Sequence, residues 1–168
     1  YVGSGGTVKN LTVSGTVSGS NHVGGVVGEN NGGTVENCAF DGSVSGKGIG
    51  IGGVVGENYY SSTVTNCYST RTVHGSESVG GVAGNNANST VENSYNTGAV
   101  SGTGTGIGGV VGENRSNNAN SNPINPLINC TIENCYNTGK VSGSESVGGV
   151  VGENDSNSNG IIVRANST

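Results

Sequence analysis

The apolar positions of this chain are mostly valine and isoleucine, and they fall in short runs separated by glycine, asparagine and serine. Three such runs recur in fixed order, typified by Thr34-Val35-Glu36-Asn37-Cys38, Ser43-Val44-Ser45 and Val23-Gly24-Gly25-Val26-Val27. The last opens a longer string, Val23-Gly24-Gly25-Val26-Val27-Gly28-Glu29-Asn30, whose further copies start at Ile51, Val79, Ile107 and Val147, so that successive starts lie 28, 28, 28 and 40 residues apart. The threonine string recurs at Thr7, Thr63, Thr90 and Thr131, and six residues after its last position there is always a valine: Val17, Val44, Val73, Val100 and Val141. From that valine to the next glycine string the count is 6, 7, 6, 7 and 6, the extra residue falling in Lys47-Gly48-Ile49-Gly50 and Thr103-Gly104-Thr105-Gly106. β-Branched runs bounded by turn formers predict strands. Glycine costs about 1 kcal/mol against alanine inside a helix, and several per repeat argue against helices.

One repeat with three short strands is the content of one coil of a three-sided parallel β-solenoid. A single coil cannot bury its valines, but coils stacked about 4.8 Å apart pair every strand with its counterparts above and below. The expected fold is all-β, a three-sided β-helix of about five coils, one repeat of about 28 residues per coil. The repeats run over residues 7–33, 34–62, 63–89, 90–130 and 131–157, with a partial sixth coil at 158–168. The longer fourth spacing places a loop insertion in the Asn/Ser/Pro-rich stretch 115–130, and the whole makes a rod about 25 to 30 Å long.

In-register stacking requires each column of side chains to tolerate an identical neighbour. Asparagine does so, because its amide both donates and accepts hydrogen bonds. Two complete columns are asparagine: Asn10, Asn37, Asn66, Asn93 and Asn134, and Asn30, Asn58, Asn86, Asn114 and Asn154. They are expected to be structural ladders at corners, where asparagine also tolerates the left-handed conformation. The column Val26, Val54, Val82, Val110 and Val150, with those of Val35 and Val44, is the expected core. Glu29, Glu57, Glu113 and Glu153 form a column broken by Asn85, and Glu36, Glu92 and Glu133 one broken by Lys9 and Thr65; both read as solvated faces. Tyr68, Tyr95 and Tyr136 read as corner packing, whereas Tyr59 and Tyr60, adjacent in a turn, are candidates for surface binding.

Composition narrows the function classes. With 34 glycines, one Phe and no Trp or Met, the core must be thin. Cys38, Cys67 and Cys135 share one column with Leu11 and Ser94, a slot for a small buried side chain in which a disulfide between Cys38 and Cys67 would need local adjustment. Cys130 lies in the loop and has no repeat equivalent. His22 and His74 have no zinc-ligand spacing with the cysteines, so no metal site and no cofactor follow. No nucleophile elbow, phosphate loop or metallopeptidase helix motif is present, and the chain reads as non-enzymatic. A net charge of -5 argues against nucleic acid, and no apolar run approaches the roughly 20 residues of a membrane span. The sequence opens on Tyr1 without a leader pattern, as in a processed secreted chain or a piece of a longer one.

Gly25-Val26-Val27-Gly28 and its copies resemble the GLUG motif, with valine where the motif's name has leucine. That resemblance implies an extracellular or cell-surface location and adhesive or stalk-like work, as in bacterial adhesins and the non-catalytic region of IgA-specific metallopeptidases. Three functions fit: a structural or adhesive rod, a glycan- or ice-binding face, and a spacer of a secreted metallopeptidase. The partners would be a host or matrix surface ligand, neighbouring repeats of a longer chain, or a second copy. The last two would stack head to tail through Ile161, Ile162 and Val163, because no helix, proline cluster or charged run closes either end.

Overall fold

The computed structural model describes residues 1–116, 129–155 and 160–167, so the stretch 117–128 of the insertion lies outside the described residues. Among these residues every regular element is a strand and every strand pairing is parallel. Among the described residues no helix is long and apolar enough to cross a membrane. The chain winds as a β-solenoid, each coil lying in register on the next: Thr7 on Thr34, Thr34 on Thr63, Thr63 on Thr90 and Thr90 on Thr131.

Four ladders run along the rod. The threonine ladder joins Thr7–Lys9, Thr34–Glu36, Thr63–Thr65, Thr90–Glu92, Cys130–Glu133 and Gly160–Val163. The next begins with two eight-residue strands, Thr12–Gly19 and Ala39–Gly46, and continues as split pairs such as Tyr68–Ser69 and Val73–Gly75. The glycine string supplies the remaining two, Val23–Gly24 and Val27–Asn31 in the first coil. It contributes to two ladders because it bends at its middle.

Sterics explain why that bend needs glycine. A Cβ on Gly24 would collide with the Val27 carbonyl oxygen of the same bend, and Gly52, Gly80, Gly108 and Gly148 meet the equivalent oxygen. A Cβ on Gly25 would strike the Phe40 ring; Gly53, Gly81, Gly109 and Gly149 face Ser69, Asn96, Asn137 and Ser167 at the same level. The two-residue corner is thus closed by backbone packed on backbone, with no volume for a side chain. The opposite corner absorbs length instead. Where Lys47-Gly48 adds a residue, the Ser76 hydroxyl of the next coil donates to the Lys47 carbonyl at 2.8 Å and the ladder resumes with Glu77 opposite Ile49.

The core is two apolar columns deep. Val35, Val64, Val91 and Ile132 fill one cluster, and Phe40, Val44, Ile51, Val73, Val79, Val100 and Ile107 the other. Val54, Val82 and Val110 are fully buried, while Val26 and Val150, on the outer coils, are only partly covered. Burying one valine contributes roughly 1.5–3 kcal/mol, so the central coils hold the most stabilisation per residue. Residues 1–6 add part of a turn ahead of the first repeat: Val2 bridges Asn30, occupying the position that asparagine holds in every later coil.

Candidate functional site

The interior carries an unbroken amide ladder. Asn30 donates to Asn58 at 2.9 Å, Asn58 to Asn86 at 2.9 Å, Asn86 to Asn114 at 2.8 Å and Asn114 to Asn154 at 2.7 Å. Asn30, Asn58, Asn86 and Asn114 are fully buried, and each also donates to a backbone carbonyl, Asn30 and Asn86 to Gly33 and Ser89 three residues on, Asn58 to Thr90 and Asn114 to Cys130. Buried polar groups are tolerated because each is satisfied by its neighbour. At the Val2 end the Asn30 Oδ1 has no partner, because a valine stands where a donor amide would. The other asparagine column is exposed and does different work. Asn10, Asn37, Asn66, Asn93 and Asn134 have φ between 50° and 58°, turning the chain out of the threonine ladder, and amide bonds of 3.3 Å link Asn37 to Asn10 and Asn134 to Asn93.

Two further columns are hidden in the sequence. Asn96 donates to Asn137 at 2.9 Å, in line with Phe40 and Ser69, and both amides also hold the turn that follows them. His22, Gly50, Ser78, Gly106 and Ser146, chemically unlike, all have φ between 48° and 71° at the corner before the glycine string.

All four cysteines are free and buried. Cys38, Cys67 and Cys135 each donate to the carbonyl two residues earlier, at 3.2, 3.1 and 3.2 Å, and the Ser94 hydroxyl does the same at 2.7 Å. From the second coil on the slot therefore takes a small side chain with a proton to give, whereas Leu11 in the first coil is exposed. Burial pushes the Cys67 thiol up to about 12 and the Cys135 thiol up to about 11, and it raises Cys130 as well, so these thiols are poor nucleophiles at neutral pH. Cys130 does have a repeat equivalent, contrary to the sequence reading. It opens the strand Cys130–Glu133, one residue ahead of Thr131, as Ser62 and Ser89 stand one ahead of Thr63 and Thr90. The insertion breaks its spacing to the preceding glycine string while its spacing to the following threonine is kept.

The outer faces are polar and shallow. Tyr68, Tyr95 and Tyr136 stack as parallel plates with ring centroids 4.8 and 4.9 Å apart. The stack ends at Tyr68, which lies in register with the much smaller Ala39 and borders a notch lined by Thr12, Asp41, Thr70 and Arg71. Within it Thr70 and Arg71 donate to Asp41 Oδ1 at 2.7 and 2.8 Å, and the Arg71 bond holds the Asp41 carboxyl below its ordinary value. Tyr59 and Tyr60 meet at 4.9 Å; Tyr60 is 65% exposed, and with Ser61 it takes up positive φ in the turn that carries one residue more than its neighbours. Asn31 ties the Tyr59 hydroxyl to that of Tyr1, with donor distances of 3.0 and 2.9 Å. Burial is the first cause, and the Glu29 charge the second, that raises the Tyr59 phenol. His22, Glu29 and Glu57 come together across two coils, half-buried, with ligand-capable atoms within 4.8 Å of one another.

The family model described as the GLUG motif matches residues 19–45, 47–73 and 75–101. The chain carries GLUG repeats. Each matched GLUG segment begins before the corner that precedes the glycine string and ends at the valine of the second ladder or one residue past it, so one motif is one turn of the solenoid. The repeat that follows the matched segments is interrupted between its inner asparagine, Asn114, and Thr131, where the insertion lies. No curated protein and no solved structure was found to match the chain.

Proposed function

We propose that this GLUG solenoid is a non-enzymatic structural and adhesive module of an extracellular surface protein, a rod that continues by stacking at its ends. The observation that carries this reading is the edge each ladder leaves at the outermost coils. Thr7–Lys9 and Thr12–Gly19 at one end, and Val141–Ser142, Val147–Gly148, Val151–Asp155 and Gly160–Val163 at the other, have a strand on one side only or lie at the margin of their sheet among the described residues. Ile161 and Ile162 are 37% and 42% exposed there. Every ladder is parallel, so the two ends present complementary edges, and a heterologous contact of this kind propagates without closing. Neighbouring repeats of a longer chain or a second copy would satisfy it equally. Light scattering and negative-stain microscopy across a concentration series test the second case. Growth into filaments that Ile162→Lys abolishes, with the circular dichroism of the coils kept, supports self-stacking; monomers at every concentration rule it out.

A glycan-binding face is the second reading, favoured by the notch at Tyr68, where an aromatic face borders a carboxylate and a guanidinium. A glycan array probed with the native chain and Tyr68→Ala checks it, and equal signals from the two would remove it. The threonine face argues against ice. Its column is flanked on the same side by Lys9, Glu36, Glu92 and Glu133, which leave no second row of threonines.

A further inference from the structure

Glu29 and Glu57 are in-register partners on adjacent coils, and like charges directly opposite each other in a sheet are destabilising. Among the described residues neither meets a lysine or arginine; both face one histidine, whose Nδ1 lies 2.7 Å from Glu29 Oε1 and 3.4 Å from Glu57 Oε2. One imidazole supplies at most one positive charge to two carboxylates. The three side chains keep only 29, 36 and 16% of their surface, so water screens the pair incompletely.

Asn85 follows Glu57 in the same column, 4% exposed, and donates to Glu57 Oε1 at 3.5 Å, while its Oδ1 has no hydrogen-bond partner. Two half-buried carboxylates in register, sharing a single imidazole with their ligand-capable atoms within 4.8 Å of one another, leave negative charge that a cation would balance.

The geometry points to a divalent transition-metal site, zinc being the type case, formed by His22 Nδ1 and one carboxylate oxygen each from Glu29 and Glu57. Ligand atoms around a tetrahedral zinc with bonds of about 2.0–2.1 Å sit about 3.3–3.4 Å apart. The His22–Glu57 separation of 3.4 Å already has that value, and the His22–Glu29 hydrogen bond at 2.7 Å opens when the ion replaces its proton. Mixed nitrogen and oxygen donors select this class of ion over calcium, which takes six to eight oxygens. Water takes the fourth position. Bound there, the ion clips the first coil to the second.

The same molecule holds a control. Glu113 and Glu153 are also in-register partners, but their corner carries Ser78, Gly106 and Ser146, and Ser78 donates to Glu113 at 2.8 Å. Calorimetric titration of the full chain with zinc chloride tests the proposal, alongside His22→Gly, Glu57→Gln and Glu153→Gln. Glycine already occupies the same positive-φ corner at Gly50 and Gly106, so His22→Gly removes the ligand without straining the turn, and Glu57→Gln keeps the shape and the Asn85 bond. One zinc per chain is expected, weakened roughly tenfold or more by either ligand variant and unchanged by Glu153→Gln. Cobalt(II) titration adds the ligand type: nitrogen and oxygen donors give no thiolate charge-transfer band. Absence of zinc binding, equal binding in His22→Gly, or a thiolate band that places the ion on the cysteines would each overturn the site.

Discussion

At the residue scale the coil depends on side chains chosen for backbone angle as much as for contact. Asn37 holds φ at 52°, and the same corner recurs in every repeat, with Arg164 taking it at φ 53° in the partial sixth coil. Left-handed backbone costs most residues about 1–2 kcal/mol, from which glycine is exempt and asparagine largely so. Asn37→Ala should therefore lower the denaturant midpoint by an equivalent of about 1 kcal/mol at unchanged m value, and Asn37→Gly should stay within about 0.5. If the two variants fell equally, the 3.3 Å amide bond to Asn10 rather than the angle would be the contribution that matters. The buried thiols make a second, independent prediction. Cys67 and Cys135 ionise in the folded chain at about 12 and about 11, above the ordinary thiol value of about 8.5. Between those limits the unfolded chain has released protons that the folded chain retains, so stability is complete below about pH 8.5 and declines as pH rises through the window. Each thiol costs roughly 1.4 kcal/mol per pH unit there. Replacing both with serine, the residue already present at Ser94, should flatten the alkaline limb of a stability-against-pH curve. A limb of unchanged slope would trace alkaline loss to Cys130 and the tyrosines instead.

At the scale of the element, the bend in the glycine string is the least forgiving feature. A Cβ on Gly81 would press on the Gly109 carbonyl oxygen of the next coil and on Asn96, so Gly81→Ala must push two coils apart or expel a buried amide. The expected loss is about 3 kcal/mol or more, read as a drop in melting temperature, against about 1–2 at Gly5, whose surroundings are open and where only the positive φ of 74° resists. This bend also marks where the sequence stops being legible. The repeat, its length and its strand runs were readable, because stacking imposes the same residue at Asn30, Asn58 and Asn86 and the same valine at Val54, Val82 and Val110. The division of the glycine string between two ladders was not, since glycine marks a permitted conformation without saying which one. Columns that keep an angle but change the side chain, such as His22, Gly50 and Ser78, leave no recurring letter to find. The Asn96–Asn137 pair is too short a column to stand out, and Cys130 was displaced from its column by the insertion. His22 meets Glu57 only through the winding of the coil, a contact that spacing along one repeat cannot report.

For the whole molecule, stability should be distributed as in a one-dimensional stack, where each coil is held by its own core and by its two neighbours. Burial follows that form. The strand Ala83–Ala87 in the third coil is buried at every position, whereas Val151–Asp155 in the fifth is half-covered or exposed throughout and Thr12–Gly19 in the first is largely exposed. Val82→Asp, placing an unpaired carboxylate at a site with no exposure, should cost several kcal/mol and melt the centre of the rod, while Val150→Asp, at a partly covered site, should cost clearly less. Amide hydrogen exchange reads the same gradient without mutation. Slowest exchange is expected in the second to fourth coils, for example at Val55, Ala83 and Val111, whose amides bond to Val82, Val110 and Val150 of the following coil. The outer strands should exchange by local fraying. Their rates also bear on assembly, because stacking copies would bury the edges of Thr7–Lys9 and Gly160–Val163 and leave the centre as it was. Protection that rises with concentration at those two strands, and at no central amide, is the result expected of end-to-end growth. Rates independent of concentration over the whole rod would rule out a second copy as what these edges meet.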